Sequence, residues 1–186
     1  PDAIKEYLTL AEELNKAEET SKALEQLQHI KEIVPENFES RERLAEIYYQ
    51  NDDKEKAEKE FLELSEVAIE QDELEAAEKY LRNILEWYSD SVIAREGLIN
   101  LFEKMENRTA LGRECSGLAE MLEEAGEFDK AADTLSRAKF HNPGDVNIRE
   151  KLTRILVKAE QFDQAIEEYF QLADLFLQFI NYGWLT

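Results

Sequence analysis

Apolar residues recur at intervals of three and four along most of the chain, as in Leu44, Ile47 and Tyr48. This spacing places them on one face of an α-helix. Turn-forming and capping residues interrupt the pattern at 35–37, 51–53, 71–73, 89–91, 126 and 142–145. The segments between these interruptions predict about ten helices of roughly 14–18 residues. Because the connections are short, neighbouring helices are expected to be antiparallel.

The pattern also repeats over a longer distance. The segment that begins at Pro35 aligns without gaps with the segment that begins at Pro143, and half that offset aligns Leu44 with Leu98. Self-similarity at a fixed period, here a 54-residue period, indicates a repeat protein. We therefore predict one array over residues 1–186, expected to be a fragment of a longer protein, with units at 35–88 and 89–142 and partial units at 1–34 and 143–186.

The residues within a unit resemble the tetratricopeptide repeat (TPR), which has Leu, a small residue and Tyr on its first helix and Ala and Phe on its second. The matching positions here are Leu44, Ala45, Tyr48, Ala57 and Phe61. The resemblance implies an all-α solenoid, a right-handed superhelix of about ten antiparallel helices. It also implies a non-catalytic scaffold or adaptor that binds other proteins.

The spacing of the small residues departs from the family pattern. Ala23, Ala57 and Ala77 lie 34 and then 20 positions apart, whereas a regular array keeps about 34. This spacing favours three-helix units, in which the helices near 54–71 and 108–125 each belong to two hairpins.

Charge limits the possible partners. The chain has 22 Lys and Arg against 43 Asp and Glu, a net charge of -21. Nucleic acid is excluded as a partner because its binding requires clustered basic residues, and an anionic membrane surface is disfavoured for the same reason.

No apolar run approaches the roughly 18 residues that span a bilayer. No signal segment opens the sequence, and a single cysteine cannot form an internal disulfide, so we expect a cytoplasmic protein.

Candidate catalytic and metal-binding residues are few. His29 and His141 lie far apart in the sequence, and neither has the spacing of a metal site. Cys115 aligns with Phe61, which predicts a core position and not a nucleophile. The carboxylates fall mostly on polar helix faces, and no glycine-rich phosphate loop is present. We predict no catalytic residue, metal ion or cofactor.

The TPR resemblance implies that the first helix of each pair lines a concave partner-binding face. The residues carried onto this face are mostly acidic, namely Glu39, Glu42, Glu46, Tyr49, Glu66, Glu96, Asn100, Glu103 and Glu120. Such a face favours a basic or mixed basic and apolar segment, and disfavours the acidic tails that some TPR domains bind. Signalling proteins and small GTPases are among the partners that the family implies. Alternatively, these residues only keep the surface soluble.

The last predicted helix is unusually rich in aromatic residues, including Phe176, Phe179 and Trp184. The 54-residue period predicts a further helix after it. Either the array is truncated here, or this face docks on a second copy or on another protein. Two alternatives to a simple scaffold therefore stay open: self-association through this face, and a regulatory or assembly domain of a larger multidomain enzyme.

Overall fold

The computed structural model of the protein describes residues 2–35 and 37–183, and the side chains of residues 2, 3, 179 and 181–183 lie outside that description. The described residues form ten α-helices and no β-strand, which confirms the all-α prediction. The helices are α1 (Asp2–Lys16), α2 (Thr20–Ile33), α3 (Phe38–Gln50), α4 (Lys54–Glu70), α5 (Leu74–Trp87), α6 (Val92–Lys104), α7 (Arg108–Glu124), α8 (Phe128–His141), α9 (Val146–Lys158) and α10 (Phe162–Gly183).

Helix boundaries follow the 54-residue period. The helices α3, α6 and α9 begin at residues 38, 92 and 146 and end at 50, 104 and 158. Each is preceded by a residue whose side-chain oxygen accepts a hydrogen bond from the backbone N–H three positions later: Asn37, Ser91 and Asp145. Such N-caps satisfy a backbone donor that the helix itself leaves unpaired. The predicted period is thus confirmed, and the capping residues follow it.

The helices form two compact units, residues 1–89 with α1–α5 and residues 90–186 with α6–α10. We call them the N-terminal and C-terminal units. Within each unit every helix packs against the next one in sequence. The connections are short, as the helix bounds show, which makes consecutive helices antiparallel. The helix α4 packs against both α3 and α5, and α7 packs against both α6 and α8.

Side-chain contacts show which helices of the N-terminal unit share a side. Asn15 of α1 donates a hydrogen bond to Gln50 of α3 at 3.2 Å, and Lys79 of α5 donates to Glu42 of α3 at 2.9 Å. Helices α1, α3 and α5 therefore line one side of this unit. Helices α2 and α4 are joined in the same way by an ion pair on the opposite side.

The C-terminal unit alternates in the same manner. Arg137 of α8 donates to Asn100 of α6 at 2.6 Å, and a further ion pair joins α8 to α10. Lys151 of α9 donates to Glu120 of α7 at 2.7 Å on the other side. The sequence period contains three helices, whereas the side changes with every helix. For this reason α6 and α9, which are equivalent in sequence, lie on opposite sides of their unit.

Small residues allow the helices to pack closely. Ala23, Ala57, Ala77 and Ala131 are fully buried, and a larger side chain at these positions would separate the helices. Leu and Phe side chains one turn later fill the remaining space: Leu27, Phe61, Leu81 and Leu135. Cys115 is also fully buried, which confirms its predicted core position. Burial raises the pKa of its thiol to about 12, so the unreactive thiol form dominates.

An Arg–Glu ion pair occurs three times, once in each period. Two of the pairs are buried, and in the middle pair the carboxylate is buried while the arginine is 23% exposed. In every case the two residues join consecutive helices and have the same spacing in the sequence, with N–O distances of 3.1, 3.3 and 2.8 Å. The pairs are Arg41–Glu60, Arg95–Glu114 and Arg149–Glu168. Charges inside a core are tolerated only when they are paired and hydrogen-bonded. These pairs therefore fix the relative position of the helices that they join.

The turn at Gly126 provides a first testable prediction. Its φ of 77° lies in the left-handed region, where a non-glycine residue costs roughly 1–2 kcal/mol. We expect Gly126→Ala to lower the free energy of unfolding by about 1 kcal/mol, measured by urea denaturation. In the control Gly144→Ala, the new methyl group meets no atom within 4 Å and the backbone is unstrained. Equal effects of the two substitutions would contradict the prediction.

Candidate protein-binding groove

A groove runs between α1 and α3 on one side of the N-terminal unit. Its floor is apolar and consists of Leu8 and Ala11 of α1, Leu27 of α2 and Ile47 of α3. The enclosed space is about 270 Å³, just below the roughly 300–1,000 Å³ of small-molecule sites. It therefore has room for a side chain of a bound segment.

The rim of the groove has exchangeable charges. Arg43 lies between two carboxylates, 3.0 Å from Glu46 and 3.4 Å from Glu12. The hydrogen bond that Arg43 donates to Glu46 is the main cause that raises the Arg43 pKa. All three side chains are exposed, between 42% and 46%, and exposed ion pairs contribute at most about 1 kcal/mol each. A basic side chain from a partner can replace Arg43 between the carboxylates at little cost.

Two amides lie at one end of this rim. Asn15 donates to the side-chain oxygen of Gln50 at 3.2 Å, and both residues line the groove. Each amide has two donors and an acceptor with two lone pairs, so one mutual hydrogen bond leaves most of this capacity available. Groups of this kind can bond the backbone of an extended segment.

The same side of the unit continues onto α5. Glu42 accepts a hydrogen bond from Lys79 and another from the Tyr80 hydroxyl. Burial is the main cause that raises the Tyr80 pKa, and the hydrogen bond to Glu42 is the second. At the far end of α3, Tyr49 stacks on Trp87 with ring centroids 4.1 Å apart. Because Tyr49 remains 40% exposed, the stacked pair presents an aromatic surface beside the groove.

Of the sequence-predicted residues, the structure brings four together on α3: Glu39, Glu42, Glu46 and Tyr49. Glu39 is exposed, Glu46 belongs to the groove, and Glu42 and Tyr49 contact α5. Glu66 is exposed on α4, a helix of the opposite side.

The predicted residues of the C-terminal unit are divided between its two sides. Glu96, Asn100 and Glu103 lie on α6, beside α8. Arg137 donates to both Asn100 and Glu103, and its hydrogen bond is the main cause that lowers the Glu103 pKa. The ring nitrogen Nε2 of His141 lies 3.2 Å from the same carboxylate. Within this cluster, Glu103 is thus paired with a basic residue of α8.

Glu120 lies on the other side of that unit, where α7 and α9 meet. It accepts from Lys151, and the neighbouring Glu123 is bound by both Arg154 and Lys158 at 3.0 and 2.6 Å. These basic partners lower the Glu123 pKa, with Lys158 as the main cause. The surface is therefore mixed in charge, and it is separate from the α6 cluster.

The predicted aromatic residues of the C-terminal face are only partly described. Phe176 is 45% exposed on α10. The side chain of Phe179 and the whole of Trp184 lie outside the described residues.

Sequence reasoning missed five polar groove residues: Glu12, Asn15, Lys16, Arg43 and Gln50. A signal for one pair was present, since Glu12 and Arg43 recur two periods later as Glu120 and Lys151 with the same charges. Opposite charges that recur together at the repeat distance indicate a contact between the helices that carry them.

Metal-binding clusters and membrane-spanning helices are both absent from the described part of the chain. No group of three or more His, Cys, Asp or Glu side chains there is placed to hold a metal ion. None of the described helices has the length and apolar character required to cross a membrane.

No protein-family model matches the sequence, and comparison with curated proteins gives no match. Similar solved structures include a kinesin light chain with TPR-like repeats from Podosopora anserina, at 14% identity over 95% of this chain and 96% of that chain, with a TM-score of 0.44.

A second similar structure is MamA from Desulfovibrio magneticus, at 12% identity over 96% of this chain and 97% of that chain, with a TM-score of 0.36. A third is YrrB, a TPR protein with an unusual peptide-binding site, at 16% identity over 94% of this chain and 90% of that chain, with a TM-score of 0.32. No partner is carried over from them. The described residues form a ten-helix repeat array with a 54-residue period, and the solved structures of similar fold include TPR proteins.

Proposed function

We propose that this chain is a non-catalytic scaffold that binds a basic or mixed basic and apolar segment of a partner protein in the groove between α1 and α3. The groove itself is the observation that supports this function most directly. It combines an apolar floor, exchangeable carboxylates and amide groups on adjacent helices.

The charge distribution supports a basic partner. Residues 1–89 contain 25 Asp and Glu against 11 Lys and Arg, a net charge of -14, whereas residues 90–186 contain 18 against 11, a net charge of -7. The groove therefore belongs to the more acidic unit. A surplus of one sign attracts an oppositely charged partner and speeds its association.

The geometry indicates how such a segment would bind. A Lys or Arg side chain of the partner displaces Arg43 from Glu12 and Glu46, and an adjacent apolar side chain enters the cavity over Leu8 and Ile47. The amides at the end of the groove bond the partner backbone. Polar groups at the rim then give orientation, and the apolar floor gives affinity.

Self-association and a regulatory role within a larger enzyme remain the alternative proposals from the sequence. Neither of them uses the features of the α1–α3 groove. The acidic surface proposed here is also smaller than the face predicted from sequence, because it includes α1 and α3 but none of the α6 cluster.

Selection from a random peptide library tests the groove. We expect the wild-type chain to enrich peptides that place Lys or Arg next to apolar residues. The double variant Glu12→Lys, Glu46→Lys should weaken their binding at least about tenfold, because a like charge now meets the ligand. Binding to the wild-type chain should also weaken between about 0.05 and 0.5 M salt.

A matched control separates the groove from net charge. Glu25→Lys with Glu86→Lys changes the charge by the same amount at positions outside the groove. Retained binding in this control and lost binding in the groove variant support the proposal. The proposal is wrong if both variants bind the selected peptides equally.

A further inference from the structure

An arginine joins the helices α6 and α8 of the C-terminal unit. The guanidinium of Arg137 on α8 donates hydrogen bonds to Asn100, at 2.6 Å, and to Glu103, both on α6. The two acceptors are three positions apart, so they are neighbours on the surface of that helix. The C-terminal unit thus shows where a guanidinium is held on a helix pair of this kind.

The N-terminal unit contains the equivalent helix pair without this arginine. One period earlier, α3 and α5 correspond to α6 and α8, and the equivalent of the arginine is Asn83, which carries no charge. The two helix pairs share a contact. Tyr49 stacks on Trp87, and the equivalents of these residues, Glu103 and His141, also meet, at 3.2 Å. The geometry of the α6–α8 pair is therefore a guide to the α3–α5 pair.

The two acceptors of the guanidinium have equivalents that also bind cations. Asn100 and Glu103 correspond to Glu46 and Tyr49 on α3. A carboxylate forms strong hydrogen bonds with a guanidinium, and the face of an aromatic ring attracts a cation. The side chain of Glu46 is 42% exposed and Tyr49 is 40% exposed, so a group from outside the chain can reach both.

Glu46 can bind two cations at once. The hydrogen bond from Arg43 uses its Oε2 atom, and Oε1 can accept from a second donor. A shared carboxylate of this kind occurs elsewhere in the chain, since Glu123 binds both Arg154 and Lys158.

One face of the Tyr49 ring is available to a ligand. Trp87 covers the other face, with the ring centroids 4.1 Å apart and 9° between the ring planes. The ring of Tyr88 lies 6.0 Å from that of Tyr49 and 6.5 Å from that of Trp87. These nearly equal distances place Tyr88 beside the stack, so neither ring covers the outer face of Tyr49.

Tyrosine rings of the N-terminal unit already hold cations. Three ammonium groups lie 5.3–5.6 Å from the centroid of a tyrosine ring, in the pairs Lys54–Tyr88, Lys56–Tyr48 and Lys79–Tyr80. These distances are within the range of a cation–π interaction. A basic side chain therefore matches the chemistry of this surface better than an acidic one.

We propose that an arginine of the partner segment binds to Glu46 and the outer face of Tyr49, at the place that Arg137 occupies in the C-terminal unit. Arginine fits better than lysine because its planar guanidinium stacks on a ring while its N–H groups bond a carboxylate. This arginine is a second basic side chain, next to the one that displaces Arg43, so its binding rests on the function proposed above.

The spacing of the two basic side chains follows from α3. Residues one turn apart on a helix have Cβ atoms about 5–6 Å apart. In an extended segment, alternate side chains point to the same side and lie about 6.8 Å apart. The partner segment therefore has an apolar residue, a basic residue and an arginine at alternate positions, in either chain direction.

Two labelled peptides provide the probes: Leu-Ser-Lys-Ser-Arg and the same peptide with lysine in place of arginine, each also made in reversed order. Fluorescence anisotropy with the whole chain measures their affinities. We expect the arginine peptide to bind about two- to fivefold more tightly than the lysine peptide in at least one order. Tyr49→Leu should abolish this preference, whereas Tyr49→Phe, which keeps the ring, should retain it.

A substitution within the chain tests the place itself. Asn83→Arg should raise the midpoint of thermal unfolding by roughly 1–4 °C, and should remove the preference for the arginine peptide because the place is then filled. Arginine is also a better helix former than asparagine. The same substitution is therefore made together with Tyr49→Leu, where the rise in the midpoint should be smaller.

Three results would overturn the proposal: no preference for the arginine peptide in either order, a preference that persists in Tyr49→Leu, or an equal rise from Asn83→Arg with and without Tyr49→Leu. Glu12→Lys distinguishes these results from a failure of the α1–α3 groove. It should weaken both peptides, because both place a lysine between Glu12 and Glu46. Peptides that bind but are unaffected by Glu12→Lys contradict the groove, whereas loss of discrimination alone contradicts only the arginine site.

Discussion

Replacing Phe61 by alanine is expected to lower the free energy of unfolding by about 3–5 kcal/mol, whereas Tyr169→Ala, at the equivalent position, should lower it by less than about 1 kcal/mol. Phe61 is 1% exposed and lies against Tyr80 and Trp87 of α5, so its removal leaves a cavity. Tyr169 is 58% exposed, and most of its ring already contacts water.

Urea denaturation followed by far-UV circular dichroism measures both changes. The two residues occupy equivalent positions of the repeat and differ strongly in burial. A loss of several kcal/mol with Tyr169→Ala would mean that its ring is covered in the folded protein, which contradicts its observed exposure. A small loss with Phe61→Ala would contradict the packing of α5 on α4.

The second large effect is expected at the buried ion pairs. Glu168→Ala should destabilise the chain by about 3–5 kcal/mol, because it leaves Arg149 buried without its carboxylate. The side chains of Arg149 and Glu168 are only 9% and 6% exposed, and the same carboxylate also binds Lys139. The free energy of unfolding from urea titration is the measurement.

Two further variants test the cause. The exposed pair Lys130–Glu127 provides the control, and Lys130→Ala should leave the stability nearly unchanged. The double variant Arg149→Met, Glu168→Leu removes both charges and should recover much of the loss, because neither side chain then needs a partner. A double variant as unstable as Glu168→Ala would show that the loss came from packing and not from the unpaired charge.

The sequence was sufficient to predict the helices and their period. Capping residues such as Asn37, Ser91 and Asp145 mark a helix start once in every period, and local hydrogen bonding at these caps depends only on nearby residues. The buried alanines and Cys115 were predicted for a similar reason, because each period repeats the same packing.

The side on which each helix lies could not be predicted from the aligned positions alone. Glu42 and Glu96 are equivalent in sequence, which led to their assignment to one face, together with Glu120. The structure separates Glu96 from Glu120 because the side changes with each helix and the period contains an odd number of helices. The buried ion pairs were missed because Arg and Glu are common on solvated helix faces.

The odd number of helices in the period has a consequence for how such a chain can grow or shrink. Gain or loss of one 54-residue segment within a unit would move each later helix of that unit to the other side, whereas a segment of twice that length, with six helices, would keep each helix on its side. The residues agree with this. Lys31 and Lys139 lie two periods apart, and each binds the buried carboxylate of the repeat unit that follows it. Leu85, halfway between them, carries no charge. Descent by duplication of six helices, and not of three, is therefore the history that keeps existing contact surfaces intact.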